Sequence, residues 1–220
     1  LVRSHVPDII VSDVMMPRMN GYKLCKTIKE DINISHIPVI LLTARDDRQS
    51  QISGYKNGAD GYLSKPFEVE MLMELIRNRL KNREYTKKRY LNAGLIPTPE
   101  ESTISLTDET FLIKLNSIIQ ENIENSNLGI QFICQEVGLG RSSLYNKLKA
   151  LTGMGANEYI SKLRIEKAIT LISGTDMPFS EIAEKTGFTT PSYFSTAFKQ
   201  YTGETPSQYK ERKKKGLAGK

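Results

Sequence analysis

The chain has 220 residues, a formal net charge of +6 and 25% charged residues, which suits two modest domains and is compatible with a polyanionic partner without establishing one. It holds no run of 18 apolar residues and no segment with the charged, apolar and small-residue regions of an export signal, so neither a membrane span nor a leader is expected within it. Cys25 and Cys134 lie far apart and outside any C-x-x-C pattern, which argues against a disulfide framework or a zinc centre and suits a reducing cytoplasm.

In chain order, the first predicted elements are short strands that each end in a polar residue. Ile9 to Ser12 runs into Asp13, Val39 to Leu42 into Thr43, and Gly61 to Ser64 into Lys65. The carboxyl ends of parallel strands share one edge, where open α/β folds place their chemistry. A carboxylate, a hydroxyl and an ammonium would then meet. That set suits a phosphoryl group, with Asp13 accepting it and Thr43 and Lys65 contacting its oxygens. A phosphatase with an aspartate nucleophile is the enzymatic alternative, but it needs a second Asp two residues on, and Met15 stands there. Without that general acid, turnover should be poor.

Asp13 to Gly21 reads D-V-M-M-P-R-M-N-G, and Lys65-Pro66-Phe67 follows at a fixed interval. These motifs resemble the receiver domain of two-component response regulators over residues 1–82. The resemblance implies a flavodoxin-like, doubly wound parallel sheet. It makes Asp13 the phosphoacceptor, Thr43 and Lys65 phosphoryl contacts, and Tyr62 a switch aromatic that moves inward as Thr43 is drawn to the phosphoryl group. It also implies Mg2+ held by Asp13, the backbone carbonyl of Met15 and an acidic pair at the end of the family's first strand. The chain opens instead as the tail of the family's second helix, so a partial receiver within a longer polypeptide is expected. Asp13 and Met15 alone are too few ligands to fix magnesium, and Asp13 should then be a poor phosphoacceptor in this chain as it stands.

Val69, Leu72, Leu75, Ile76 and Leu80 predict a helix that gives way to the basic stretch Lys81 to Arg89. Asn92 to Ser102, with Pro97 and Pro99 flanking Thr98, reads as a connector. A new helix is expected from Thr107 as N-cap, with Asp108 and Glu109 at the positive end of its dipole. His5 and His36 are isolated and read as solvated or singly hydrogen-bonded rather than as metal ligands.

The second half contains a degenerate repeat: Ile130 to Gly153 and Phe179 to Gly203 each read as an amphipathic helix, a glycine turn and a second helix ending in Thr-Gly. Cys134 and Ala183 stand four residues before the turn glycines Gly138 and Gly187, where small side chains let paired helices approach. This is a helix-turn-helix found twice. Asn157 to Ser173 is the expected connecting helix, able to hold two recognition helices about 34 Å apart for adjacent turns of B-DNA. With Gly187-Phe188, Ser192-Tyr193-Phe194, Ala197-Phe198-Lys199, Tyr201-Thr202-Gly203 and Pro206-Ser207-Gln208-Tyr209, the segment resembles the AraC/XylS family DNA-binding domain. The resemblance implies that Ser142, Tyr145 and Asn146 of the first recognition helix, and Ser192, Tyr193 and Thr196 of the second, face bases. Arg141, Lys147, Lys149 and Lys199 are implied phosphate contacts.

The expectation is a partial α/β receiver (1–82), a linker (83–106), an all-α double helix-turn-helix domain (107–212) and a basic tail (213–220). Its function would be sequence-specific transcription regulation controlled by aspartyl phosphorylation. Expected partners are double-stranded DNA, a histidine kinase phosphodonor, RNA polymerase and, when activated, a second copy of the protein. A longer hybrid carrying a kinase would be anchored in the inner membrane. A constitutive DNA-binding regulator with a vestigial receiver is the alternative of the binding class.

Overall fold

The computed structural model describes residues 2–44, 56–93 and 105–217. The chain divides into two compact units, residues 1–113 with 142–153, and residues 114–141 with 154–220.

The first unit is built on a parallel sheet of β1 (Ile10–Asp13), β2 (Val39–Thr43) and β3 (Gly61–Ser64) in the order β1-β2-β3. Val39, Ile40 and Leu41 are fully buried in the central strand, the near-continuous apolar run that a strand covered on both faces requires. A short α1 (Val2–His5) precedes β1, and α2 (Gly21–Glu30) follows it. Asn20 starts α2 by accepting the Lys23 N–H at 2.9 Å. Cys25 and Ile28 of α2 pack with Ile34, Ile37, Val39 and Leu41, and burial pushes the Cys25 thiol up to about 11, as suits an inert core thiol.

The following helix, α3 (Val69–Ala93), does not stop near Leu80 but runs on through the basic stretch. Lys, Arg and Glu residues there offer straight side chains with little helical entropy loss. Glu84 pairs with Lys87 at 2.6 Å, and Arg83 reaches Asp8 at 3.6 Å. Most of the predicted connector lies outside the described residues. The next helix, α4 (Leu106–Glu121), begins two residues before the start that a Thr107 N-cap would set. Ser105 accepts the Asp108 N–H at 3.2 Å, while the Thr107 hydroxyl donates to the Lys29 carbonyl at 2.9 Å.

The helix-turn-helix repeat is legible in its capping. α5 (Ile130–Val137) ends with Gly138 at φ 72, and Leu139 N–H returns to the Cys134 carbonyl at 3.0 Å. α8 (Phe179–Lys185) is followed by Gly187 at φ 71, and Phe188 N–H returns to the Ala183 carbonyl at 2.9 Å. Both are the left-handed termination in which a buried apolar residue follows the glycine. Between them run α6 (Arg141–Thr152) and the connecting α7 (Ala156–Gly174). α9 (Pro191–Thr202) and α10 (Pro206–Leu217) complete the fold, α10 running into the segment expected as a tail. Gly187 is the tightest turn position. A Cβ there would stand 2.2 Å from the Ile123 carbonyl oxygen and 2.8 Å from Arg164. Gly187→Ala should therefore cost at least about 1–3 kcal/mol in urea denaturation, from backbone strain before the clash is added.

In the second unit the core is aromatic. Phe194 packs on Phe188 at 5.4 Å and on Phe198 at 5.7 Å between ring centroids, and Phe198 meets the edge of Tyr209 at 5.6 Å. Ile165, Ala168 and Ile172 of α7 close the cluster. Tyr209 explains the Pro206 to Tyr209 motif: Pro206 opens α10, the Gln208 side chain accepts the Thr205 N–H at 2.9 Å, and the Tyr209 ring joins the core.

Candidate phosphoryl-acceptor site and nucleic-acid interface

Sheet register brings the predicted phosphoryl residues to one edge. Asp13 lies opposite Leu42, so Thr43 is the next residue along β2. Thr43 in turn faces Ser64, with Lys65 just beyond it. Two further bonds lock this edge, Val14 N–H to the Leu42 carbonyl at 2.7 Å and Lys65 N–H to the Thr43 carbonyl at 2.6 Å. The Lys65 ammonium binds one Asp13 oxygen, and the Met15 N–H donates to the other at 3.0 Å. The Lys65 hydrogen bond, reinforced by that N–H, holds the Asp13 carboxyl below its usual range. Asp13 is thus an ionised carboxylate with a cation beside it. Gly21 keeps the loop tight, since a Cβ there would sit 2.5 Å from the Asp13 carbonyl oxygen. Tyr62 lies on β3 with its hydroxyl 3.4 Å from that of Tyr22.

For magnesium the donors on this edge are the Asp13 carboxylate, already engaged by Lys65, and the carbonyl of Met15. Among the described residues no group of three His, Cys, Asp or Glu side chains could hold a metal ion. These residues do not by themselves fit the six-oxygen shell that magnesium demands.

The recognition helices present the expected faces with one exception. On α9, Ser192, Tyr193, Thr196 and Lys199 are exposed, and Tyr193 retains 55% of its surface. Thr190 caps this helix by accepting the Tyr193 N–H at 3.1 Å, and Pro191 opens it. The Thr196 hydroxyl donates to the Ser192 carbonyl at 3.1 Å, so what this exposed side chain leaves outward is an acceptor and a methyl group. On α6, Arg141, Ser142, Tyr145 and Lys149 are exposed, Tyr145 at 53%, and Asn146 is half-buried. Spacings of three and four residues put them on one helical face.

Lys147 is the correction. Expected as a phosphate contact, it is fully buried, with its ammonium bound to the carboxylate of Asp108 and to the Ser35 hydroxyl at 2.7 Å. The signal was in the spacing: Leu144, Lys147, Leu148 and Leu151 form an i, i+3, i+4, i+7 stripe, the buried face of the helix. Burial alone would raise the Asp108 carboxyl, but the Lys147 ammonium and the hydrogen bonds from Lys147, Ser35 and Ser105 outweigh it, and it sits below its usual range. Asp108, placed from sequence as a dipole partner, is a buried anion.

His36, next to this cluster, is buried, and its Nδ1 has no hydrogen-bond partner. It lines a cavity of about 80 Å³ with Lys29, Arg79, Arg83 and Asp108. Burial, and after it the Lys147 ammonium, pushes the imidazole down from 6.5 to about 4. The folded chain therefore keeps His36 neutral where the unfolded chain binds a proton. This contribution to stability is complete above pH 6.5 and falls as the pH drops, levelling off below about pH 4, for a total of about 3 kcal/mol. Urea denaturation between pH 7 and 4 should show that loss, and His36→Gln should remove it.

Residues 1–77 match the Response regulator receiver domain family and residues 133–212 match a Helix-turn-helix domain family. Histidine kinase P4 of Formosa agariphila is 42% identical over 212 residues, 96% of this chain and 15% of that protein. The protein described as Probable transcriptional regulator ycf29 of Pyropia yezoensis is 30% identical over 162 residues, 69% of this chain and 73% of that one. The solved C-terminal domain of AraT, a response regulator from Geobacillus stearothermophilus, is 31% identical with a TM-score of 0.44, covering 46% of this chain and 84% of that one. The chain spans only a small part of the length of the kinase it matches. Its paired sequence matches, the parallel sheet edge carrying Asp13, Thr43 and Lys65, and the duplicated helix-turn-helix converge on one assignment: the chain belongs to the response regulators, joining a receiver domain to a helix-turn-helix domain of the AraC type.

Proposed function

We propose that this chain is the receiver and DNA-reading part of a transcription regulator controlled by phosphorylation of Asp13. One observation carries the reading. A sheet edge that brings together an ionised Asp13, Thr43 and Lys65 occurs in the same chain as helices α6 and α9, whose tyrosines and small polar residues face solvent. Asp13 would attack the phosphorus of a histidine kinase's phosphohistidine, forming a P–O bond as the P–N bond breaks. Thr43 and Lys65 would then contact the transferred oxygens. Ser142, Tyr145 and Asn146, with Ser192, Tyr193 and Thr196, would read base edges, while Arg141, Lys149 and Lys199 would hold phosphates. Double-stranded DNA, RNA polymerase and a second copy of the protein are the partners this role implies, in the cytoplasm. Among the described residues no helix is long and apolar enough to cross a membrane.

The test couples chemistry to DNA affinity. On the 220-residue chain, acyl-phosphate formation from a small phosphodonor with magnesium should be slow, because among the described residues no group of carboxylates joins Asp13 to hold the metal, and it should vanish in Asp13→Asn. The labelled fraction should bind a selected operator with altered affinity. Unchanged affinity would favour a constitutive DNA-binding regulator. Steady phosphate release from a phosphomonoester, abolished by Asp13→Asn, would favour a phosphatase.

A further inference from the structure

The buried contact at Lys147 joins three distant stretches of chain. Ser35 lies in the turn between α2 and β2, Asp108 in the first turn of α4, and Lys147 in the middle of α6. The Ser35 hydroxyl donates to Asp108 Oδ1 at 2.6 Å and accepts from Lys147 Nζ at 2.7 Å, while Lys147 also binds Asp108 directly. Ser35 and Lys147 are completely buried and Asp108 retains 2% of its surface. The Lys147 ammonium also lies 5.1 Å from the centroid of the Phe111 ring. A buried charge pair with its remaining valences filled tolerates little displacement, because moving one partner strands the other without water. Lys147 follows Tyr145 by two residues, so fixing its ammonium fixes the azimuth of the exposed face that carries Ser142, Tyr145 and Lys149.

The two recognition helices differ in what holds them. Residues 142–153 belong to the same compact unit as the sheet, whereas α9 lies in the other unit, seated by Phe194 and Phe198 in its own aromatic core. Ser35 also lies shortly before Val39, the start of the central strand that ends at Thr43. One strand therefore links the triad to the phosphoryl edge.

Taking α6 and α9 as the base-reading helices, we propose that Ser35, Asp108 and Lys147 are positioning residues through which the receiver segment sets the orientation of the first recognition helix alone. Receiver control then falls on the half of the DNA site read by α6, and the half read by α9 keeps its affinity. Ser35 is the member that makes the link. Without it the Asp108–Lys147 pair remains within the helical part of the chain, but the receiver segment no longer bonds to the pair itself, and the Thr107 hydroxyl on the Lys29 carbonyl holds only the neighbouring turn of α4.

The test is quantitative footprinting of the 220-residue chain on a selected operator, with the first half-site defined by the bases lost in Tyr145→Ala. Ser35→Ala should weaken the first half-site by about 2- to 30-fold and leave the second unchanged. Lys147→Met combined with Asp108→Leu replaces both charges by apolar side chains and so preserves packing. It should produce a similar half-site-selective loss, and adding Ser35→Ala to it should change nothing more. Hydrogen exchange at α6 amides, faster in Ser35→Ala with α9 unchanged, would support the same conclusion. Equal weakening of both half-sites, no weakening, or full additivity of Ser35→Ala with the pair replacement would each overturn the inference. Should Tyr145→Ala leave every base protected, the base-reading role of α6 fails first, and the inference falls with it.

Discussion

Tyr145→Ala and Tyr193→Ala should each weaken binding to a selected operator by about 1–3 kcal/mol while leaving nonspecific binding nearly unchanged. Both rings stand out from their helices, at 53% and 55% exposure, and the Tyr193 ring also meets the edge of the core Phe188 ring at 5.7 Å. Removing them takes away contact surface, and an unchanged urea midpoint separates that loss from lost support in Tyr193→Ala. The outcome for Lys199→Ala is different in kind. Its side chain is exposed near the end of α9 and is proposed to contact phosphate, so all sequences should be weakened alike and the salt dependence should flatten by about one unit of slope. Titrations of specific and random duplexes at several salt concentrations separate the two behaviours.

Phe194→Ala and Phe198→Ala should each destabilise the second unit by about 3–5 kcal/mol. Both rings are fully buried and touch two aromatic neighbours each. The rest of the cluster rests on α7, α8 and α10 and cannot collapse into the space without moving them. For a domain of ordinary stability that loss approaches the whole margin. In urea denaturation the midpoint should fall with the slope unchanged, and DNA binding should fail because α9 is no longer seated. A change of less than about 1 kcal/mol would mean that the aromatic cluster is not the core of this unit.

The sequence carried the elements whose signal is local. Apolar runs closed by Asp13, Thr43 and Lys65 marked strand ends, and the register of β1, β2 and β3 brings those residues to one edge. The repeated small residue, glycine and apolar residue at Cys134, Gly138 and Leu139, and at Ala183, Gly187 and Phe188, marked two turns with matching hydrogen bonds. Long-range polar partners were not legible. Asp108 looked like a helix-dipole carboxylate and Lys147 like a surface cation, because nothing local shows that residues 39 apart will meet in a buried pair. The Leu144, Lys147, Leu148, Leu151 stripe showed which face is buried but not what neutralises the charge on it. The true cap of α4, Ser105 rather than Thr107, was hidden because a hydroxyl two residues on serves equally well by composition and is diverted to the Lys29 carbonyl. The extension of α3 through its basic stretch shows how helix propensity and local ion pairs override the loss of an apolar stripe.

We propose that the two helix-turn-helix copies of this receiver-linked chain both read DNA. Footprinting of the 220-residue chain on an operator chosen by repeated selection from random duplexes tests it most directly. Two separate protected segments are expected, one losing protection in Tyr145→Ala and the other in Tyr193→Ala, with Lys199→Ala lowering affinity without shifting either boundary. Loss of the same bases in both tyrosine variants, or specificity that depends on one copy alone, would contradict the account even if the chain binds DNA.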